Sequence, residues 1–343
     1  MSSTPINTSS SDDLIEKEDV FLDNTLRPET FDEYIGQSHI KKNLKVLLEA
    51  AAIRNHTPEH LLFYGPPGLG KTTLAHLIAK HTGKQIKITS GPAIEKVGDL
   101  ASILTNLSAG DILFIDEIHR LNKSIEEILY PALESGVLDI IIGKGPSARS
   151  IQLDLPPFTL IAATTRIAMV SSPLRSRFSG GVFKLEFYTD EEIGQIITRS
   201  AKILKIELEK DAAFEIASRS RFTPRTANYL LRRCRDIAQI ENKTLNKELV
   251  QKAMTMLDID SLGLMKSDRD ILKTIIEKYK GGPVGSSTLA VSLSEEIGTI
   301  EEFHEPYLIQ LGLIERTPRG RVVTDKAYSH LNLPNNRVQD SIL

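Results

Sequence analysis

The chain has 343 residues, of which 41% are apolar and 25% charged, with a net charge of −3. That length is enough for two or three domains with buried cores, and the near-neutral balance excludes nucleic-acid binding by bulk charge, leaving only a local basic patch. A single cysteine, Cys234, excludes an internal disulfide, and no apolar run approaches the roughly 20 residues of a membrane helix.

Residues 1–21 are rich in Ser, Asp and Glu and have no apolar segment of signal-peptide type, so they are expected to form a disordered tail. One cysteine in an apolar helical stripe fits a small core residue and a reducing cytoplasm. From 22 to 183, apolar runs alternate with amphipathic stretches: Leu61–Tyr64, Ile86–Thr89, Ile112–Ile115 and Thr159–Ala163 each end in a polar turn. This alternation predicts an α/β domain with a parallel sheet and crossover helices.

The first run leads into Gly65-Pro66-Pro67-Gly68-Leu69-Gly70-Lys71-Thr72, a complete phosphate-loop pattern, and Leu74, Leu77 and Ile78 follow at helical spacing. Glycines let backbone N–H groups curl around phosphates, and the helix start adds partial positive charge. Lys71 brings a mobile full charge, and the Thr72 hydroxyl is of the type that ligates Mg²⁺. The third run ends in Asp116-Glu117. Successive strand side chains point apart, so one carboxylate can hold a hydrated Mg²⁺ while the other orients or deprotonates water. Transition-state charge also requires a cation, for which Arg166, Arg175, Arg177 and Arg225 are all candidates.

Residues 184–258 read as a helical bundle. Thr189 with Glu192 forms a capping box, Thr223-Pro224 an N-cap and first turn, and Val250, Ala253, Met254 and Leu257 mark a further helix. From 259 to 343, three short helices precede a hairpin. The first carries Ile271, Leu272, Ile275 and Ile276, the second begins at Ser287, and Thr299 with Glu302 is expected to cap the third. Leu313-Ile314 and Val322-Val323 then flank a basic turn holding Arg316, Arg319 and Arg321. Three helices plus a basic hairpin predict a winged helix. A hairpin is also expected from Leu138–Ile142 and Ile151–Leu155.

The motifs Leu26-Arg27-Pro28, Gly36-Gln37, Gly65–Thr73, Gly98-Asp99-Leu100, Leu113–Leu121, Asp154–Ile161, Ala163–Arg166, Pro173–Phe178, Leu185–Tyr188, Thr223-Pro224-Arg225, Glu305–Gln310 and Arg316–Arg321 together span nearly all of the ordered chain. As a set they resemble the RuvB family of AAA+ ATPases. The resemblance implies an AAA+ domain, a helical lid and a C-terminal winged helix. It implies ATP-driven, helicase-like branch migration of Holliday junctions in recombination, SOS response and DNA repair. A clamp loader, a replication initiator and an inactive AAA+ scaffold are the competing readings.

The implied cofactors are ATP and Mg²⁺, with Leu26 and Arg27 at the adenine and Gly68, Gly70, Lys71, Thr72 and Thr73 at the phosphates. Thr72 and Asp116 are implied at the metal. Thr165 is the implied polar sensor, Arg177 an arginine finger acting in the neighbouring subunit's site, and Tyr188, Arg225 and Glu134 further nucleotide contacts. Arg316, Arg319 and Arg321 are implied to touch DNA. The implied partners are a homohexamer, a RuvA tetramer docked on the Leu138–Leu155 hairpin, four-way junction and duplex DNA, and the RuvC resolvase. The sequence departs from the family pattern at Glu134-Ser135-Gly136, Ser179-Gly180-Gly181, Gly263-Leu264-Met265 and Ile297.

Overall fold

The computed structural model describes residues 24–142 and 149–335. The expected tail at 1–21 and the tip of the Leu138–Leu155 hairpin lie outside the described residues. A parallel five-stranded sheet is built from β1 (Leu61–Tyr64), β2 (Ile86–Ser90), β3 (Ile112–Asp116), β6 (Thr159–Thr164) and β7 (Gly181–Lys184), in the order β2-β3-β6-β1-β7. The antiparallel pair β4 (Val137–Ile142) and β5 (Arg149–Asp154) stands apart from it.

The strands are continuous apolar runs because both sheet faces are covered. Period-two alternation divides them cleanly. Leu61, Phe63, Ile112, Phe114, Ile161 and Ala163 face one buried cluster with α1 (Ser38–Ile53) and α2 (Lys71–Thr82). Leu62, Leu113, Ile115, Leu160 and Ala162 face a second cluster with α3 (Val97–Thr105) and α4 (Lys123–Glu134). The edge strand β7 was not legible in the sequence. It is four residues long, its side chains alternate between half-buried and exposed, and it runs to Lys184. The short helix α5 (Ser172–Arg175) precedes it, with the Ser171 side chain capping its start.

The lid comprises α6 (Asp190–Ile203), α7 (Lys210–Ala217), α8 (Pro224–Glu241) and α9 (Lys247–Met256). The Thr189–Glu192 capping box forms as expected, and the Thr223 hydroxyl accepts from the Thr226 N–H. The eight-residue α7 carried no capping signal in the sequence. Lid residues such as Ile193, Leu231 and Val250 join the first cluster of the large domain, so lid and sheet share one core. Cys234 is fully buried within it, and burial pushes its thiol up to about 12, as befits a core residue.

The C-terminal domain has its own core around Leu272, Ile275, Leu308 and Tyr328. It contains α10 (Lys266–Tyr279), α11 (Ser286–Leu293), α12 (Ile297–Thr299), α13 (Glu305–Gln310), the hairpin β8 (Ile314–Thr317) and β9 (Gly320–Val323), and α14 (Asp325–Leu331). The expected Thr299–Glu302 cap does not form. The helical run starts earlier, after Glu296, and a π-turn, Ile300–His304, joins α12 to α13. Thr299 is therefore inside the helical run, and the Glu302 side chain is committed elsewhere.

Candidate active site

Three neighbouring strands deliver the site at their C-terminal ends. The loop after β1 turns through positive φ at Gly65, Gly68 and Gly70, at 141°, 81° and 94°. A side chain at Gly65 would bring a Cβ to 2.7 Å from the Leu185 carbonyl oxygen, so only glycine fits there. α2 begins directly after Gly70 with no side-chain cap, which leaves its first N–H groups available to an anion.

Lys71 is 7% exposed and donates to the carbonyl oxygens of Gly65 at 2.8 Å and Pro66 at 2.9 Å. Burial pushes its ammonium down to about 8. The carboxylates of Glu117 and Asp116 oppose that shift, and Arg225 adds to it. A phosphate beside it would favour the charged form and reverse that shift.

At the tip of β3 the two carboxylates are set apart electrostatically. Burial raises Asp116, and its Oδ1 accepts from the Glu117 N–H at 2.9 Å. Glu117 is also half-buried, but hydrogen bonds from His119 and Thr165 outweigh burial and hold it below its ordinary value. Its Oε2 lies 3.1 Å from His119 Nδ1, 3.3 Å from the Thr165 N–H nitrogen and 3.2 Å from the Thr165 hydroxyl. Glu117 sits in the left-handed region at φ 47°, which turns its carboxylate off the strand axis.

A cleft of about 300 Å³ collects most of the expected nucleotide contacts: Leu26, Arg27, Gly68, Gly70, Lys71, Thr72, Thr73, Asp116, Glu117, Tyr188 and Arg225 all line it. Thr72 and Asp116 offer hard oxygen donors suited to Mg²⁺. Among the described residues no group of three or more His, Cys, Asp or Glu could hold a metal. A two-donor protein site fits an ion that takes the rest of its shell from phosphate and water.

Three expected site residues make their contacts elsewhere in the chain. Glu134 does not line the cleft; its Oε2 accepts from Arg177 Nη2 at 2.8 Å. Arg177 also donates to the Pro173 carbonyl at 2.8 Å and lies 4.6 Å above the Tyr130 ring, outside this chain's own cleft. Among the wing arginines, Arg321 is buried, with Nε 2.6 Å from Glu305 Oε1 and Nη2 3.0 Å from Glu301 Oε1. Arg321 was expected to touch DNA; here its guanidinium is engaged inside the domain, holding the hairpin to α13. Arg316 is exposed, 3.6 Å from Glu305, and Arg319 is exposed at the turn.

The sequence reading missed several participants. The Tyr188 hydroxyl lies 3.0 Å from that of Tyr34 and 3.2 Å from the Leu69 carbonyl oxygen, pinning the phosphate loop to the lid. His119 Nδ1 is 2.9 Å from the Thr164 hydroxyl. Glu302, from the winged helix, lies 2.9 Å from the Thr165 hydroxyl and pairs with Arg166. His119 belongs to the Leu113–Leu121 motif, two residues after Glu117. Tyr34 and Glu302 are brought in only by tertiary packing.

The comparisons with known proteins agree with this architecture. The RuvB P-loop domain model, described as that of a Holliday junction DNA helicase, matches residues 26–184. The RuvB AAA lid model matches 188–260, and the RuvB C-terminal winged-helix model 261–332. The chain is similar to Thermotoga maritima RuvB, solved as a Holliday junction branch migration motor. Identity is 51% over 90% of this chain and 99% of that one, with a TM-score of 0.83. A proline-to-glycine mutant of the same protein aligns with the same identity and coverage and a TM-score of 0.84. With all three domain models matched in order and 51% identity to a solved member over 90% of its length, the chain belongs to the RuvB family.

Proposed function

We propose that this protein is an ATP-driven motor that moves the branch point of Holliday junctions. The observation that carries the reading is the cleft itself, where a buried Lys71 faces a paired acid at a nearby strand end, beneath a lid sharing the same core.

Lys71 and the N–H groups of the Gly68–Thr73 segment bind the phosphates, and Leu26 and Arg27 border the base. Tyr188 and Arg225 contact nucleotide from the lid side. Thr72 and Asp116 would hold Mg²⁺, which when bound neutralises phosphate charge and orients the phosphate oxygens. Glu117, kept ionised by His119 and Thr165, orients a water and accepts its proton. The water oxygen bonds to the γ-phosphorus as the bond to the β–γ bridging oxygen breaks, leaving ADP and phosphate. Thr165 is placed to report on the γ-phosphate. Arg177, held on Tyr130 and by Glu134 outside its own cleft, supports a finger acting in the neighbour's site and hence a homohexamer.

We assign hydrolysis to residues 22–183, nucleotide sensing to the lid at 184–258 and DNA contact to 259–343. Exposed Arg316 and Arg319 suit backbone phosphates, a contact that carries no base preference. The β4–β5 hairpin leaves Ile151 and Leu153 exposed, which supports docking of RuvA there, with RuvC as the resolvase that acts on the same junction. The test is junction-dependent ATP turnover and branch migration, with and without RuvA. Glu117→Gln should retain ATP binding and lose turnover by about 10²–10⁴-fold. Full turnover by that variant, or a wild-type protein that neither binds nor cleaves ATP, refutes the reading.

A further inference from the structure

One short turn of the winged helix contacts three separate parts of the molecule. Glu302, in the π-turn, puts Oε2 2.9 Å from the Thr165 hydroxyl, and its Oε1 pairs with the Arg166 guanidinium. The same hydroxyl lies 3.2 Å from Glu117 Oε2. A hydroxyl has one proton to donate, so Glu302 and Glu117 compete for it.

The next residue, Phe303, accepts on its carbonyl oxygen from Arg221 Nη2 at 2.9 Å, and its ring lies 4.7 Å from the same guanidinium. Arg221 and Phe222 both adopt φ of 55°, an unfavourable conformation for two successive side-chain-bearing residues, and they lead directly into Thr223 and Arg225 at the head of α8. Flanking the turn's acid, Glu301 and Glu305 hold Arg321 and lie 3.7 and 3.6 Å from exposed Arg316 of the wing. π-turns are rare, and the extra residue here lets consecutive side chains reach the wing, the strand tip beside the acid pair and the lid joint.

We propose that Glu302 is a positioning residue of the hydrolytic centre supplied by the winged-helix domain. It draws the Thr165 hydroxyl and Arg166 away from the cleft, so that turnover stays low until duplex DNA on Arg316 and Arg319 moves the turn. The inference rests on the hydrolytic role proposed for Glu117 and Thr165. It adds that the brake on that centre comes from the DNA-contacting domain of the same chain.

The test is steady-state ATP turnover of the full chain with and without duplex DNA, resolved into kcat and KM. Glu302→Ala should raise DNA-free kcat by about fivefold, the yield of releasing one half-exposed charged contact. It should leave KM for ATP and the DNA-saturated kcat unchanged, so that stimulation by DNA falls towards unity. Glu302→Gln, which keeps the shape and removes the charge, should move in the same direction, and Glu302→Asp should restore most of the DNA dependence. An unchanged stimulation ratio in a folded Glu302→Ala or Glu302→Gln protein overturns the proposal, as does an equal fall in both rates. A wild-type protein without any ATP turnover would instead defeat the functional reading on which it rests.

Discussion

Lys71 is buried in the cleft, and its ammonium is pushed down to about 8 from an ordinary 10.5. Relative to an ordinary lysine the ammonium is disfavoured by on the order of 3 kcal/mol, which still leaves it protonated near neutral pH. Nucleotide phosphates reverse it, because an adjacent anion favours the ammonium. The sign follows from that. Below about pH 8 both free and bound forms carry the proton and affinity is flat; above it, the free protein must take up a proton to bind, and affinity falls by up to tenfold per pH unit. If phosphate returns the amine to its ordinary value, the Kd for ATP rises by about twentyfold between roughly pH 7.5 and 9.5. Isothermal titration with EDTA present prevents turnover. Repeating it in two buffers of different ionisation enthalpy counts the proton taken up. Lys71→Arg, charged throughout this window, should show weaker binding and a flat profile. A wild-type Kd that changes by less than about threefold over the window, with no proton uptake, would refute the assignment of a depressed amine facing the phosphates.

Two further expectations follow from the arginines. Arg321→Ala leaves Glu305 buried beside an empty position and should destabilise the winged helix by about 3–5 kcal/mol, seen as a lower Tm. Arg316→Ala should leave Tm within error and weaken duplex binding, lowering the salt slope of log K by about one; equal melting losses in both variants would contradict the division drawn here. Arg177→Ala and Lys71→Ala should each be inactive alone. Mixed rings should regain measurable turnover, since an intact cleft then meets an intact finger across a subunit boundary. Mixtures as inactive as the parents would count against a finger in trans.

The sheet was legible because buried parallel strands are unbroken apolar runs, and Leu61–Tyr64, Ile112–Asp116 and Thr159–Thr164 stand out as such. β7 was not, since a four-residue edge strand with exposed positions carries little pattern. The phosphate loop and acid pair were readable because their chemistry depends on residues adjacent in sequence. Glu302 was misread for the opposite reason: Thr299 and Glu302 have capping-box spacing, and only the fold shows the helix already under way before them. Arg321 was grouped with Arg316 and Arg319 by composition. Arg316 and Arg321 stand directly opposite each other on the ribbon and share one face, so only the packing of Arg321 against the glutamates of α13 and the turn before it distinguishes the two.

β6 lies between β1 and β3, with Phe63 beside Ala163 and Ile115 beside Ala162. The strand bearing the phosphate loop and the strand bearing the acid pair therefore meet only through one that leaves the ribosome well after both. A nascent chain that has completed β1 to β3 already carries every residue of the two ATP motifs, but lacks the spacer that sets them about 10 Å apart. A chain that stops before β6 therefore holds both motifs without the strand that spaces them or Thr165 just beyond its tip, and the cleft is incomplete.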